Sequence, residues 1–532
     1  MMKEFQLIAK TFQGLEEVLA KELTELGANN IEIGRRMVAF TGDKAMMYRA
    51  NFALRTAVRI LKPISNFKAK DADEVYEKVK EIDWSEVMDT DTSFAVDAVV
   101  FSNEFRHSQY VAYRVKDAIV DKFRETTGKR PNVKISNPDI YINIHIAEDE
   151  CTLSLDSSGE SLHRRGYRQE AVEAPLNEVL AAGIILMSGW KGQCDLIDPM
   201  CGSGTIPIEA ALIARNIAPG VFRKEFAFER WKDFDKDLFE EIFNDDSNER
   251  EFDHHIYGYD IKQQANVIAT NNVKAAGLSK DITLEVRDFA EFTQPAEKAV
   301  IITNPPYGER ISVDDLLGLY ELIGSKLKHE FQGGEAWILS YREECFAHIG
   351  LKPSVKIPLY NGPLECELRK YEMFEGKFKS FRAEGEQLDK SERSSFSKPL
   401  RHKDDKWKQR RAAQQTDEEE TTKPLLPEID DLDDDETIQR YRKLLSRKRA
   451  VEREQTAYQK QRRAQMRGER KEEGEGRDFK KDFKKDFKKH DGKPDFKGKR
   501  FEKRGDKREK NDFKGREDRQ KRREERKKMF KK

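Results

Sequence analysis

The chain has 532 residues, and its 99 Lys and Arg side chains equal its 99 Asp and Glu side chains in number, so its formal net charge is zero. At about 150 residues per domain, this length predicts about three domains. The five cysteines form no C-x-x-C pair, no apolar run reaches the roughly 20 residues of a membrane span, and the amino terminus lacks a signal-peptide pattern. We therefore expect a cytoplasmic protein with no metal site, no disulfide framework and no membrane contact.

The first third of the chain alternates helical and strand-like patterns. Apolar residues at helical spacing across residues 15–26 predict a helix that ends near Gly27. Residues 94–100 alternate as a strand, residues 111–119 form a second helical face, and residues 140–155 are typical of a hairpin. This part of the chain is therefore predicted to contain small α/β modules.

A glycine-containing turn follows the short apolar strand at residues 196–197. Gly202 and Gly204 allow the backbone to turn tightly and to approach a ligand closely. The third glycine of the dinucleotide fingerprint is missing, with Pro207 in its region, so the pattern disfavours NAD. An acid before the glycines suits a ligand with an amino group, such as the methionine part of S-adenosylmethionine. The candidate cofactor-binding residues of this turn are Asp198, Pro199, Cys201, Gly202, Ser203, Gly204 and Thr205.

Two further acids follow predicted strands in the order that such a site needs. Asp260 is placed to bind ribose hydroxyls, and Asp288 to accept a hydrogen bond from an adenine amine, with Phe289 packing on the ring. Each acid alone is more often a helix cap or a loop carboxylate. Three strand-terminal acids followed by the sequence Asn304-Pro305-Pro306-Tyr307, in this order, are a specific set. Asp260 lies much further from the glycines than the roughly 20 residues of the dinucleotide pattern. Residues 222–255 are therefore predicted to be an insertion.

The sequence Asn304-Pro305-Pro306-Tyr307 follows the apolar run at residues 299–302. It falls at the carboxyl end of a predicted strand, where open parallel sheets bind their ligands. The Asn304 side-chain carbonyl and the Pro305 backbone carbonyl can both accept hydrogen bonds from one exocyclic NH2 group. Both prolines stiffen the turn, and Tyr307 offers a flat face for a base. These four residues are the candidate catalytic residues, and they would serve any planar amine.

An amphipathic helix at residues 316–327 and a strand at residues 336–339 come next. The Asn361-Gly362 pair then predicts a tight hairpin, since this dipeptide favours a two-residue turn. A parallel sheet closed by such a late hairpin would end with an antiparallel edge strand.

Beyond about residue 380 the apolar periodicity fails. From Lys471 onward the chain has 28 basic and 16 acidic residues, and Phe479, Phe483 and Phe487 recur among the lysines. Such a segment cannot bury enough apolar surface to fold alone. Cations and isolated rings suit unpaired nucleic acid, so the three phenylalanines are candidate RNA contacts. The alternative is a tail that only solubilises the protein.

These motifs resemble those of the class I S-adenosylmethionine-dependent methyltransferases, and more narrowly those of the THUMP-domain RNA guanine-N(2)-methyltransferases of the large-subunit rRNA type. The resemblance covers roughly the first 380 residues. The residues that carry it are 162–168, 174–176, the Asp198 motif, 304–310, 361–362 and 365–366.

The resemblance implies an α/β architecture in four parts. A ferredoxin-like segment is expected at residues 1–60, a THUMP RNA-binding domain at 61–158, and a Rossmann-like methyltransferase domain at 159–382. The latter would have a parallel sheet with an antiparallel edge strand. A disordered charged tail would occupy residues 383–532.

The resemblance also implies methyl transfer from S-adenosylmethionine to the 2-amino group of a guanosine, with 23S rRNA favoured and tRNA as the alternative substrate. RNA and ribosomal precursor particles are the expected partners. The group of charges that includes Arg106, Arg114 and Lys116 would dock RNA, although such charges often only solvate a helix face. Two other classes stay open, namely a DNA adenine-N(6)-methyltransferase and a non-catalytic RNA chaperone or ribosome-assembly factor.

Overall fold

The computed structural model describes residues 3–373, apart from residues 173, 296–297, 309–312 and 332. The tail predicted at residues 383–532, with its Phe479, Phe483 and Phe487, lies outside the described residues. Within the described part of the chain, no helix is both long and apolar enough to cross a bilayer. In the same residues, no group of three or more His, Cys, Asp and Glu side chains is arranged to hold a metal ion.

The first half of the described chain forms one eight-stranded sheet with helices packed on it. Its strands are β1 (Phe5–Lys10), β2 (Asn29–Gly34), β3 (Met37–Gly42), β4 (Arg59–Lys68), β5 (Ser93–Phe101), β6 (Asn132–Val133), β7 (Ile140–Ala147) and β8 (Glu150–Asp156). Its helices are α1 (Glu16–Leu26), α2 (Lys44–Ala53), α3 (Ala72–Glu81) and α4 (Ser108–Thr127). The strand order is β2-β3-β1-β4-β8-β7-β5-β6.

Several local predictions for this half are confirmed. Helix α1 ends at Gly27, which adopts a left-handed conformation that suits glycine, and β7 and β8 form the predicted hairpin. The predicted boundary at residue 60 falls inside β4, which pairs with β1 on one side and with β8 on the other. The first two predicted modules therefore share this strand.

The second half forms a separate seven-stranded sheet flanked by helices. Its strands are β9 (Asp195–Asp198), β10 (Ile256–Asp260), β11 (Ile282–Val286), β12 (Ala299–Thr303), β13 (Glu335–Ser340), β14 (Val355–Asn361) and β15 (Leu364–Glu372). Its helices are α5 (Glu178–Met187), α6 (Thr205–Ala214), α7 (Lys236–Asn244), α8 (Gln263–Ala276), α9 (Val313–Glu330) and α10 (Glu343–His348).

The strand order of this sheet, β11-β10-β9-β12-β13-β15-β14, determines where a ligand can bind. On one side of β9 the chain adds β10 and then β11. It then crosses to the other side of β9, where it adds β12. In open α/β sheets, the crevice at such a reversal of order binds ligands. The hairpin at Asn361 places β15 antiparallel between β13 and β14. The antiparallel strand expected at the edge of the sheet therefore lies one position inside it, and the edge strand β14 runs in the direction of β13.

The predicted insertion at residues 222–255 lies between α6 and β10 and attaches to the first half of the molecule. Tyr48 of α2 stacks on Phe228, with ring centroids 4.4 Å apart, and Phe228 in turn contacts Phe226 and Phe239 at 5.3 and 5.0 Å. The Tyr48 hydroxyl accepts a hydrogen bond from the Asp235 backbone N–H at 3.0 Å. Aromatic burial of this kind stabilises the contact between the two halves.

Two buried arginines hold the segment that joins the halves. Arg165, with 2% of its surface exposed, pairs with Glu209 of α6 at 3.4 Å and donates to the Arg55 carbonyl at 2.5 Å. Arg223 of the insertion donates hydrogen bonds to four backbone carbonyls, those of Ser158, Glu160, Ser161 and Arg164. A buried charge is costly unless it is paired and hydrogen-bonded, so these contacts fix the path of residues 158–165.

Candidate cofactor and amine-binding site

The predicted motifs meet at the carboxyl ends of three neighbouring strands. In the sheet, β9 lies between β10 and β12 and runs parallel to both. Asp198 ends β9 and Asp260 ends β10, while Asn304 directly follows β12. These strand ends share one edge of the sheet. The two acids and the turn at Asn304–Tyr307, called the Asn304 turn below, therefore border the crevice at the reversal of strand order.

The glycine turn after β9 is bent in the way that its sequence requires. Gly202 and Gly204 have φ angles of 54° and 81°, in the left-handed region that favours glycine. A methyl group on Gly204 would also lie only 3.2 Å from the Ala269 side chain. The Cys201 N–H donates to the Tyr259 carbonyl at 2.7 Å, so the turn is tied to β10.

Asp260 has a structural task beside the one predicted for it. One of its carboxylate oxygens accepts the Gly202 N–H at 3.0 Å, and the other accepts the Lys262 N–H at 2.8 Å. Its side chain is half-buried. Each oxygen keeps a lone pair in addition to these bonds, so a ribose hydroxyl can still be accepted.

Asp198 is buried, with 2% of its surface exposed. It accepts hydrogen bonds from the Thr303 hydroxyl at 2.9 Å and from the Met200 N–H at 3.3 Å. Burial raises the pKa of the Asp198 carboxyl to about 7, and the nearby charge of Asp260 acts in the same direction. A positively charged ligand would lower this pKa and would be attracted by both acids.

The bond between Thr303 and Asp198 joins the glycine turn after β9 to the turn that begins at Asn304 after β12. Thr303 is buried at the end of β12 and directly precedes Asn304. Sequence reasoning missed it, although a polar residue that closes an apolar strand is a usable signal. Because Thr303 is bonded to Asp198 and directly precedes Asn304, the bond keeps the Asn304–Tyr307 turn close to the acid of the glycine turn.

Asn304 and Tyr307 contact each other. The Tyr307 hydroxyl donates a hydrogen bond to the Asn304 side-chain carbonyl, and the Tyr307 ring meets the Tyr341 ring edge-on at 5.2 Å. Burial raises the pKa of Tyr307 far above its ordinary value, so its hydroxyl remains a donor. Within the turn, Pro305 is buried and Pro306 is exposed. The carbonyl oxygen of Asn304 is thereby oriented, with a second lone pair left for an incoming N–H.

Asp288 and Phe289 follow β11 as a tight turn. Asp288 is exposed and accepts the Ala290 N–H at 2.9 Å, which is the helix-cap role that an isolated acid most often has. Phe289 is buried and stacks on Phe292, with centroids 6.0 Å apart. The predicted contacts of these two residues with an adenine stay a prediction.

Sequence reasoning also missed two side chains that brace the glycine turn from outside. Arg168 donates to the Ser203 and Thr205 hydroxyls at 2.8 and 3.0 Å, and to Glu178 at 2.7 Å. Asn272, which is fully buried, donates to the Ser203 carbonyl at 3.0 Å. Pro199, Cys201, Ser203 and Thr205 are themselves buried. They support the shape of the turn, in which Gly202 is half-buried.

The three candidate RNA contacts of the first half lie at or near α4. Arg106 is exposed. Arg114 pairs with Asp73 at 2.7 Å and stacks over the Tyr76 ring, and Lys116 pairs with Asp117 at 2.7 Å. Arg114 and Lys116 thus already have acidic partners, and a role for all three in RNA binding stays a prediction.

Three family models match the chain in sequence order. The RlmL ferredoxin-like domain matches residues 6–61, the THUMP domain matches residues 69–156, and the RMKL-like methyltransferase domain matches residues 165–370.

Two curated relatives and one solved structure are similar to the chain. "Putative RNA methyltransferase slr0064" of Synechocystis sp. is 40% identical over 69% of this chain and 96% of its own. "Ribosomal RNA large subunit methyltransferase K/L" of Syntrophotalea carbinolica is 40% identical over 69% of this chain and 53% of its own length, so the chain spans about half of that relative. The crystal structure of SMU.472, "a putative methyltransferase complexed with SAH", is 31% identical, with a TM-score of 0.64 over 71% of this chain and all of that chain.

Proposed function

Because the chain belongs to the family of THUMP-domain RMKL-like methyltransferases, we propose that it transfers a methyl group from S-adenosylmethionine to the 2-amino group of a guanosine in ribosomal RNA. One observation carries the proposal, namely the hydrogen bond between Thr303 and Asp198. This bond puts an amine-binding turn directly beside an acid–glycine turn of the kind that binds the cofactor. Such an arrangement suits transfer of a group from one ligand to the other.

The described residues fit S-adenosylmethionine. Asp198 would face the cationic methionine end of the cofactor, and its pKa, which burial raises, would be lowered by a positively charged ligand. Asp260 would accept hydrogen bonds from the ribose hydroxyls. The Gly202–Gly204 backbone allows close approach. When bound, the cofactor supplies an electrophilic methyl group, and the protein has to supply alignment.

The alignment would come from the Asn304 turn. The Asn304 side-chain carbonyl and the Pro305 backbone carbonyl would each accept one hydrogen of the guanine 2-amine. Held in this way, the nitrogen lone pair would point toward the glycine turn, and correct orientation is worth several kcal/mol of the barrier. A strong base is not needed beforehand, because the amine proton becomes acidic as the new C–N bond forms. A paired guanine must leave its stack to reach the turn.

The substrate within RNA is the part of the proposal that most needs a test. The K/L relatives are named for large-subunit ribosomal RNA, and the THUMP match supports an RNA partner. We favour 23S rRNA, in the cytoplasm and within ribosomal precursor particles, with tRNA as the second candidate. The Asn304 turn by itself would also accept an adenine amine.

Nucleoside mapping by mass spectrometry, on rRNA, tRNA and DNA from cells with and without the protein, tests the proposal. Loss of an N(2)-methylguanosine from 23S rRNA would support it, and loss from tRNA would favour the second candidate. Loss of N(6)-methyladenine from DNA would refute an RNA substrate. An unchanged set of modified nucleosides in all three would refute catalysis and favour a chaperone or assembly role.

Arg168→Met should weaken S-adenosylmethionine binding by about tenfold, and it should also lower the free energy of unfolding, because it removes the cationic partner of the buried Glu178 carboxylate. The substitution removes the fork that holds Ser203 and Thr205, and losing such charged hydrogen bonds costs on the order of 1.5–3 kcal/mol. Calorimetric titration would measure the affinity. Arg168→Lys is the matched control, because it keeps the charge but cannot bridge both hydroxyls. Affinity equal to wild type in both variants would show that the turn needs no brace.

Removing the residues after Ser391 should leave a cofactor-binding enzyme with weaker RNA affinity and a shallower salt dependence. The deleted tail carries the basic stretch from Lys471 onward, and fewer counterions would be released when RNA binds. Replacing Phe479, Phe483 and Phe487 with Ala in the full chain is the control. It should weaken binding to unpaired RNA with little change in the salt slope, since stacking releases no counterions.

If the truncated and full-length proteins bound RNA equally well at every salt concentration, the tail would serve only to solubilise the protein. If the truncated protein failed to fold, the prediction of a disordered tail would be wrong.

A further inference from the structure

A guanidinium group lies beside the amine-binding turn and has had no role so far. Arg342 comes two residues after β13, the strand next to β12, so it lies at the same edge of the sheet as Asn304. A methyl group placed on Gly308, the residue after Tyr307, would lie 3.7 Å from the Arg342 Cζ atom. The positive charge is therefore next to the backbone of the turn that is proposed to hold the base.

Arg342 is held in place by its neighbour. Its Nε donates to the Tyr341 hydroxyl at 3.0 Å, and its Cζ lies 5.5 Å from the centroid of the Tyr341 ring. The same ring packs edge-on against Tyr307 at 5.2 Å, and Tyr307 donates to Asn304. The orientation of the guanidinium is thus linked through two rings to the candidate catalytic residue.

The outer edge of this guanidinium keeps hydrogen-bonding capacity that the described residues do not use. Its Nη1 forms an ion pair with a Glu344 carboxylate oxygen at 3.6 Å, which is too long for a hydrogen bond. Among the described residues, neither Nη1 nor Nη2 makes a hydrogen bond, and 25% of the side chain is exposed. A planar fork of N–H donors, fixed at its inner end and open at its outer end, matches a phosphate group.

We propose that Arg342 binds a backbone phosphate next to the nucleotide whose base enters the Asn304 turn. The inference rests on the proposed function, and it adds a substrate-binding residue to the same site. A base that leaves its stack needs its backbone held in a new position, because unstacking costs a few kcal/mol. A cation beside the turn would supply that hold without contacting the base.

The salt dependence of RNA binding by the full chain tests the proposal. We compare Arg342→Met with Arg342→Lys, using unmodified 23S rRNA transcript, and we expect Arg342→Met to bind about tenfold more weakly with a slope smaller by about one. Arg342→Lys should keep most of the slope while losing affinity, because it retains the charge but not the fork. Lys328→Met is the control, since it removes an exposed charge in the last turn of α9 and should change neither quantity.

A substrate substitution supplies the sharper test once the target nucleotide is mapped. Uncharged methylphosphonates are placed on either side of the target, and their effects are measured with wild type and with Arg342→Met. If Arg342 binds one of these phosphates, neutralising it should weaken wild type but cause little further loss in the variant.

The outcomes are separable. Additive losses at both phosphates, or a wild-type salt slope in Arg342→Met, would overturn the assignment of Arg342 while leaving methylation of RNA intact. A drop in S-adenosylmethionine affinity in Arg342→Met would also overturn it, in favour of a purely structural role. Failure of the wild-type protein to methylate rRNA or tRNA would instead refute the proposed function.

Discussion

Asn304→Ala should slow methyl transfer by about 100-fold or more while S-adenosylmethionine affinity stays at the wild-type value. The Asn304 carbonyl is proposed to orient the amine, and removing one well-placed polar group from a reaction centre costs on the order of 10²–10³ in rate. The side chain makes its described contact with Tyr307 and not with the glycine turn. Single-turnover kinetics at saturating RNA and cofactor would isolate the transfer step.

Tyr307→Phe is the matched control for this experiment. It keeps the ring against Tyr341 and removes only the hydroxyl that orients Asn304, so we expect a smaller loss of rate, with cofactor affinity again unchanged. Near wild-type single-turnover rates in Asn304→Ala would refute the role of Asn304. Equal losses in both variants would indicate that orientation of the carbonyl matters as much as its presence.

Asp198→Asn should make the cofactor-free protein more resistant to urea at pH 8, and no more resistant at pH 4. The pKa of this carboxyl rises from 3.8 to about 7 on folding, so the folded state binds its proton more tightly than the unfolded state. The contribution of this carboxyl to the free energy of unfolding is therefore complete below about pH 4 and is lost as the pH rises through about 7. At 1.36 kcal/mol per pKa unit, the neutral variant should gain a few kcal/mol, up to about 4.

The same substitution should weaken S-adenosylmethionine binding by at least about tenfold. Asn keeps a carbonyl that accepts from Thr303 and Met200 but loses the charge that attracts the cationic ligand. Wild-type affinity should also fall as pH drops below about 7, because Asp198 becomes protonated, while the variant should lose this pH dependence. Calorimetric titration between pH 6 and pH 8 measures both effects. If Asp198→Asn were no more stable than wild type at pH 8, burial of the ionised Asp198 carboxylate would not destabilise the folded protein.

The sequence predicted those parts of the site that depend on order along the chain. Asp198, Asp260 and Asn304 each follow an apolar strand, and the carboxyl ends of parallel strands necessarily share an edge. The missing third glycine correctly turned the prediction away from NAD toward S-adenosylmethionine. The Asn361-Gly362 pair predicted its hairpin, and the two residues between the paired strands are Gly362 and Pro363.

Contacts between residues far apart in sequence could not be predicted in this way. Thr303 meets Asp198 across 105 residues, and Asn272 meets Ser203 across 69. No periodicity encodes such pairs. Phe289 illustrates a second limit, since the sequence alone could not show that its ring would stack on Phe292. Similarly, the spacing of the acids predicted an insertion, but it could not show that Tyr48 would pack against it.

The contacts of Arg223 have a consequence for how this protein can change over evolutionary time. Its guanidinium donates hydrogen bonds to four main-chain carbonyls of residues 158–164, and every amino acid provides such a carbonyl. Substitutions along that segment can therefore accumulate without breaking the joint, provided that the backbone keeps its path. A substitution of Arg223 itself would remove all four bonds in one step. Arg223 should therefore have a much lower substitution rate than residues 158–164, and a comparison of these rates among close relatives would test this.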